Sequence, residues 1–370
     1  MEIIGVVAEY NPFHKGHLYH INNIKKMYPD SIIIAVISTH FTQRGIPSIL
    51  NKWDKTKICL DNNIDIVVEL PFVFSSQGAD IFSYASIKIL NELGAKKIIF
   101  GSESNDVNKL IKLASEQINN KEYDLKVKKY LDEGINYPTA MSKALSSNIN
   151  TPNDILGICY IKEILKNKYD ITPITIKRTN DYNSLDTNSD IISATAIRNL
   201  INENKDIENF VPKNISKYVY KNIDYFDILK YKIISDSKYL NNFKTVDEGI
   251  ENRILKYINK SNNLNELINN IKSKRYTYNK TNRMFIHILT SFTKEEANNI
   301  DVSYIRVLGF NKNGKGYLNK QKKNMNLPLI TGYKKHDLCF DIEYRTTLIY
   351  SMITHDNSLI DKELKGPIIK

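Results

Sequence analysis

"IIGVVAEYNPFHKGHLYH", residues 3 to 20, joins an apolar run to a turn at Asn11-Pro12 and then to a stretch carrying His14, Gly16, His17 and His20. The run does not alternate with polar residues, so it predicts a strand covered on both faces, as parallel strands are. The same order then returns. "SIIIAVIS" precedes a predicted helix near 52–62, "DIVVELP" precedes one near 77–93, and "KKIIFG" follows. Strands alternating with amphipathic helices give the βαβ rhythm, and right-handed crossovers wind such units into a doubly wound α/β domain around a parallel sheet. Ligands on these sheets bind beyond the carboxyl ends of the strands. Residues 8 to 20 fall at that edge, directly after the first strand.

The rhythm continues through a helical insertion near 106–147, a helix near 153–166 and a strand "ITPITIKR" at 171–178. "SATAIRNLINEN" follows, with Ser193 as a helix N-cap. After about 215 the periodicity becomes helical, with little strand signal until "LPLITGY" at 327–333. Two domains are expected: an α/β domain over 1–215 and a mainly α-helical, basic one over 216–370.

Charge follows the same division. The chain has 52 Lys+Arg against 41 Asp+Glu, a net +11, but residues 1–214 balance at 25 against 25 while residues 215–370 carry 27 against 16. Positive charge gathered in one region steers and holds a polyanion, whereas scattered charge mainly aids solubility. No leader pattern and no apolar run long enough to span a bilayer is visible. Cys59, Cys159 and Cys339 are odd in number and far apart, which suits neither a disulfide framework nor a CxxC zinc site. A reducing cytoplasm is the expected compartment.

Three chemistries compete for residues 8–20. Asn11-Pro12 is compatible with an ordinary turn. His14, His17 and His20 invite zinc, but no glutamate follows as in H-E-x-x-H and no fourth ligand is evident. A nucleotide site accounts for more of the pattern. Gly16 permits close backbone approach, the helix start supplies free N–H groups and a positive dipole end, and imidazoles can donate to phosphate oxygens. Strand, turn, H-x-G-H and helix is the order found in nucleotidyltransferases, whose second motif resembles I-S-S-T-x-I-R. Here "ISATAIR" at 192–198 supplies Ser193, Thr195 and Arg198 as candidate phosphate-binding residues, with alanine in place of the middle serine.

"GVVAEYNPFHKGHLYH", "FTQRGIPSILNKWDKT", "DIVVELPF", "IFGSES", "TPNDILGICYIKEI", "SATAIR", "KRYTYNKTNR" and "YIRVLGFN" together resemble the bacterial tRNA(Met) cytidine acetate ligase family, within the HxGH nucleotidyltransferase-like (HUP) superfamily. The resemblance implies a ligase that uses ATP to turn acetate into acetyl-adenylate with release of diphosphate. The acetyl group then passes to N4 of the wobble cytidine of elongator tRNA(Met), giving N4-acetylcytidine. Carried over position by position, the family's ATP site falls on Val7, Ala8, Glu9, Tyr10, Asn11, Pro12, Phe13, His14, Lys15, Gly16, His17, Leu18, Tyr19 and His20, and on Gly101, Asn153 and Arg178. His14 and His17 are the expected catalytic pair, and ATP is expected with Mg²⁺. Read from the residues alone, Gly101 and Arg178 end strands at the ligand edge, while Asn153 reads equally well as a helix N-cap.

For tRNA, the candidates are Arg44 and Lys52 in the long loop after the second strand, and Lys274, Arg275, Lys280 and Arg283, which are interleaved with tyrosines. Trp53, the only tryptophan, either meets RNA or packs in the core. Two other functions stay open at this point: a small-molecule adenylyltransferase of the same fold, and a non-catalytic RNA-binding protein with a nucleotide site.

Overall fold

The computed structural model of the chain describes residues 1–120, 122–135, 137–145, 151–178, 189–332 and 337–370. The opening run forms β1 (Ile3–Ala8), parallel to β2 (Ile32–Ser38), with Ile3 opposite Ile32 and Ala8 opposite Ile37. β3 (Ile66–Leu70), β4 (Lys97–Ser102) and β5 (Thr172–Lys177) complete the parallel part in the order β5-β4-β1-β2-β3. Every residue of β2 and β3 is buried, Glu69 of β3 included, as strands covered on both faces are. The crossover helices Lys15–Met27, Lys52–Asp61 and Ala79–Glu92 lie where the periodicity puts them. Gly5 on β1 lets the last of these pack closely, since a Cβ there would lie 2.6 Å from the Leu90 side chain. The predicted 106–147 insertion contains helices Val107–Asn119, Tyr123–Asp132 and Tyr137–Ala144.

The C-terminal part is mainly helical and also returns to the sheet. β6 (Ile305–Phe310) pairs antiparallel with β3, and β7 (Leu329–Ile330) and β8 (Ile368–Ile369) pair parallel with β6. The eight strands among the described residues form one mixed, mostly parallel sheet. β6 is easily passed over in the sequence because the charged Arg306 interrupts its apolar residues. Only two residues of "LPLITGY" are strand, and its Tyr333 lies outside the described residues.

Arg306 is 1% exposed and belongs to a buried ionic cluster that fastens the C-terminal helices beneath the sheet. Lys52 Nζ donates to Glu69 at 2.9 Å, to Glu343 at 3.2 Å and to Glu363 at 3.0 Å, and Arg306 pairs with Glu69 and Glu363. Glu343 also accepts the Phe72 N–H at 2.7 Å, and Glu363 accepts the Thr347 hydroxyl at 3.0 Å. The Arg306 guanidinium lies between Trp53 and Phe340, 5.3 and 4.7 Å from their ring centres. Trp53 packs in the core, and Lys52 does not bind RNA: it is fully buried and held by three carboxylates from three separate elements.

Candidate active site

Beyond the carboxyl ends of β1, β4 and β5 lies a cavity of about 910 Å³, walled on its far side by the helix Tyr278–Leu289 and the loop before it. His14 is the N-cap of the helix Lys15–Met27 and is 6% exposed. Its Nδ1 accepts the Gly16 N–H at 3.0 Å, while His17 Nδ1 accepts the His14 N–H at 3.2 Å. This is a capping box built from two imidazoles, and each ring uses Nδ1 to satisfy an N–H that the helix start leaves unpaired.

The protonation state follows from burial. Burial, with Arg178 and Arg198 adding repulsion, holds the His14 imidazolium pKa down at about 3. Burial likewise lowers His17 well below the usual histidine value, aided by His14 and Arg178, and lowers His20 to about 4. A neutral ring carries one proton, and with Nδ1 accepting it must sit on Nε2. Both rings line the cavity with centroids 3.9 Å apart, so the turn presents two adjacent Nε2–H donors. Gly16 is required by this arrangement itself, because a Cβ there would stand 2.7 Å from His14 Cε1. The same Nδ1 bonds leave His14 and His17 poorly suited to bind zinc, and among the described residues no group of three His, Cys, Asp or Glu converges as a metal site.

Guanidinium groups stand beside these donors. Arg178 directly follows β5, its backbone N–H donating to Ser102 O at 3.1 Å, and its Cγ lies 3.3 Å from where a Gly101 Cβ would be. Arg198 spans the two motifs, donating to Asn11 O at 2.7 Å and to Thr195 Oγ1 at 3.0 Å. Ser193 caps the helix Ala194–Asn202 by accepting the Ala196 N–H at 3.0 Å, as the sequence predicts. Asn153 also lines the cavity, but it is not the cap. Thr151 holds that place, and Asn153 donates from its amide to Glu103.

Of the opening segment, Val7, Ala8, Glu9, Tyr10, Asn11, His14, Gly16, His17, Tyr19 and His20 face the cavity, whereas Pro12, Phe13, Lys15 and Leu18 do not line it. Phe13 is fully buried, its ring 4.8 Å from Tyr10 and 5.6 Å from His17, so it supports the turn from the core side. Asn11 accepts the Ile49 N–H at 2.9 Å and ties the turn to the loop after β2.

The far wall comes mainly from the basic half of the chain. Arg44, Arg275, Lys280 and Arg283 line the same cavity as the histidines, while the exposed Lys274 borders a smaller neighbouring depression. Arg275 pairs with Glu248 at 3.3 Å, and Lys280 Nζ lies 4.1 Å from the Tyr276 ring centre. Sequence reasoning missed Gly78, Ala79 and Asp80, and Lys128 and Leu131 of the insertion, all of which line the cavity. The first three follow β3 at the ligand edge, a position that could have flagged them. The insertion residues carry no such signal.

A doubly wound sheet with an N-capping H-x-G-H turn, a second motif tied to it by arginine and a cavity between them define a nucleotidyltransferase. The chain belongs to the HIGH Nucleotidyl Transferase family, whose pattern it matches over residues 1–364. Among its relatives, a tRNA(Met) cytidine acetate ligase from Fusobacterium nucleatum is 38% identical over 88% of this chain and 86% of the relative. One of the same name from Clostridium novyi is 37% identical over 100% of this chain and 99% of the relative. The crystal structure of apo Thermotoga maritima TmcAL aligns with a TM-score of 0.89 at 28% identity, covering 100% of this chain and 99% of that one. The same protein bound with alpha-thio ATP aligns at 0.87 over the whole of both chains.

Proposed function

We propose that this protein is an ATP-dependent ligase that converts acetate to acetyl-adenylate and transfers the acetyl group to N4 of the wobble cytidine of elongator tRNA(Met). The observation that carries this reading is that one cavity is walled on one side by the paired Nε2–H donors and on the other by cationic residues of the C-terminal half. The near wall suits a triphosphate. His14 and His17 donate to the α-phosphate as negative charge grows there, while Arg178 and Arg198 hold the departing diphosphate. Acetate oxygen displaces diphosphate at the α-phosphorus, and no protein nucleophile is needed. Adenylation turns a poor acyl donor into one with a good leaving group, and the cytidine amine then attacks the acyl carbon and expels AMP.

ATP enters as its Mg²⁺ complex. The side chains described at the phosphate end are neutral imidazoles, guanidinium groups and the Ser193 and Thr195 hydroxyls, a poor magnesium ligand set, so the ion would be held mainly by the substrate's own oxygens and would supply charge neutralisation there. Residues 1–215 bind ATP, and residues 216–370, with Arg44, receive the tRNA through Lys274, Arg275 and Lys280. The cytoplasm, where ATP and tRNA meet, is the compartment this chemistry needs. The test is to incubate purified protein with ATP, labelled acetate and total tRNA, then to digest to nucleosides. Labelled N4-acetylcytidine in elongator tRNA(Met) is expected. Adenylation of a small molecule without tRNA label, or RNA binding without ATP turnover, would replace this function by one of its rivals.

A further inference from the structure

Arg283 differs from Arg275 and Lys280 on the far wall, and from Lys274 beside it. Arg275 has Glu248, Lys280 rests on Tyr276, and Lys274 is exposed. Arg283 is partly buried, and among the described residues no carboxylate pairs with it. Its NH1 donates to the Gln43 carbonyl at 3.3 Å, which uses one of five N–H groups. Burial alone pulls its pKa down to about 10, with no neighbouring anion to offset the loss of water. A cation drawn out of water without a partner is costly, so the cavity it lines needs an anion there during the reaction cycle.

Its position selects which anion. Arg178 and Arg198 are the cations whose charge lowers the His14 pKa, so they stand with the histidines at the β1–β5 corner. Arg283 stands across the sheet, on the β2–β3 side. A Cβ on Gly45, in the loop after β2, would lie 2.2 Å from the Arg283 backbone nitrogen. One turn further along the same helix, His287 Nε2 lies 3.2 Å from Ser76 O, just after β3. Displacement at phosphorus runs in line, so the attacking oxygen enters opposite the leaving diphosphate. With the diphosphate held by Arg178 and Arg198, the attacking carboxylate approaches from the side on which Arg283 stands.

We propose that Arg283 binds the acetate carboxylate and aims it at the α-phosphorus of ATP. This inference rests on the adenylation reading given above. A guanidinium fork holds a carboxylate flat and leaves a lone pair of the attacking oxygen directed at phosphorus. In the step, that oxygen forms a bond to the α-phosphorus, the bond from phosphorus to the bridging oxygen breaks, and diphosphate leaves with the electron pair. No proton moves. Arg283 changes neither charge nor covalent state.

The test is acetate-dependent exchange of labelled diphosphate into ATP, which needs no tRNA, alongside tRNA titration by direct binding. Losing a charge-assisted hydrogen-bonded contact costs about tenfold to a hundredfold in binding. Arg283→Ala is therefore expected to raise the acetate KM at least about tenfold, leaving the ATP KM and the tRNA Kd within about twofold of wild type. Arg283→Lys, which keeps the stem and the charge, should show a smaller rise in acetate KM and guards against a folding defect in the alanine variant. An unchanged acetate KM in both variants overturns the proposal. So does a loss that falls on ATP KM, or on tRNA Kd, in place of acetate. Wild-type protein that exchanges no diphosphate in the presence of acetate would defeat the adenylation reading itself, and the role of Arg283 with it.

Discussion

At the scale of single residues, His14 and His17 each perform two tasks that substitution can separate. Nδ1 closes the helix start and Nε2–H faces the cavity. Asparagine is a strong N-cap, and glutamine three positions later completes a capping box. His14→Asn combined with His17→Gln should therefore keep thermal stability within about 1 kcal/mol of wild type while diphosphate exchange falls about a hundredfold or more. Circular dichroism melts and exchange rates decide it. Wild-type exchange in that variant would mean that the rings only cap. The sequence shows the histidines, the glycine and the helix start. It does not show the tautomer, because which nitrogen carries the proton depends on backbone bonds that exist only once Gly16 has brought its N–H under the His14 ring.

At the scale of elements, the cavity has two walls because the loop after β2 is clamped to the helix Tyr278–Leu289. Gly45 makes that contact with φ +78°, a left-handed conformation that disfavours side chains, and a Cβ there would lie 2.4 Å from the Asn282 carbonyl carbon. Gly45→Ala is predicted to lower stability by roughly 1–3 kcal/mol and to weaken acetate and tRNA binding together, since both depend on that junction. Denaturant unfolding and separate titrations check this. An alanine variant with wild-type stability would show that the loop rearranges freely. The elements of the first 100 residues were legible from apolar runs and spacing. β6 was not, because Arg306 lies inside it, and a buried arginine is allowed only by glutamates supplied from β3 and from the last helix, Ser358–Leu364.

At the scale of the whole molecule, Lys52 shows how far local sequence can mislead. Beside Trp53 in a long loop it reads as a surface cation, yet two of its partners are 291 and 311 residues away in the chain. Lys52→Ala leaves three buried carboxylates facing a single guanidinium. Breaking a buried ion pair from one side costs about 3–5 kcal/mol, so the variant should unfold at markedly lower denaturant concentration. The midpoint measures it, and a wild-type midpoint would contradict the cluster's role in joining the two halves. The +11 charge was legible, as was its concentration beyond residue 215, but not its division into cavity wall and open surface. Lys274, Arg275 and Lys280 neutralised together should flatten the salt dependence of tRNA binding by roughly two units of log–log slope, at about 0.7–0.9 per phosphate contact. An unchanged slope would make those residues ordinary solvated surface.

If one cavity carries out both half-reactions, the adenylate waits between the histidine wall and the basic wall until tRNA arrives. A pulse-chase measures this directly. Enzyme is charged with labelled acetate and ATP, then mixed with tRNA and a large excess of unlabelled acetate. Label already on the enzyme is expected to appear as N4-acetylcytidine in the first turnover, undiluted by the chase. Label released to solvent before transfer, with tRNA acetylated only from the unlabelled pool, would contradict it.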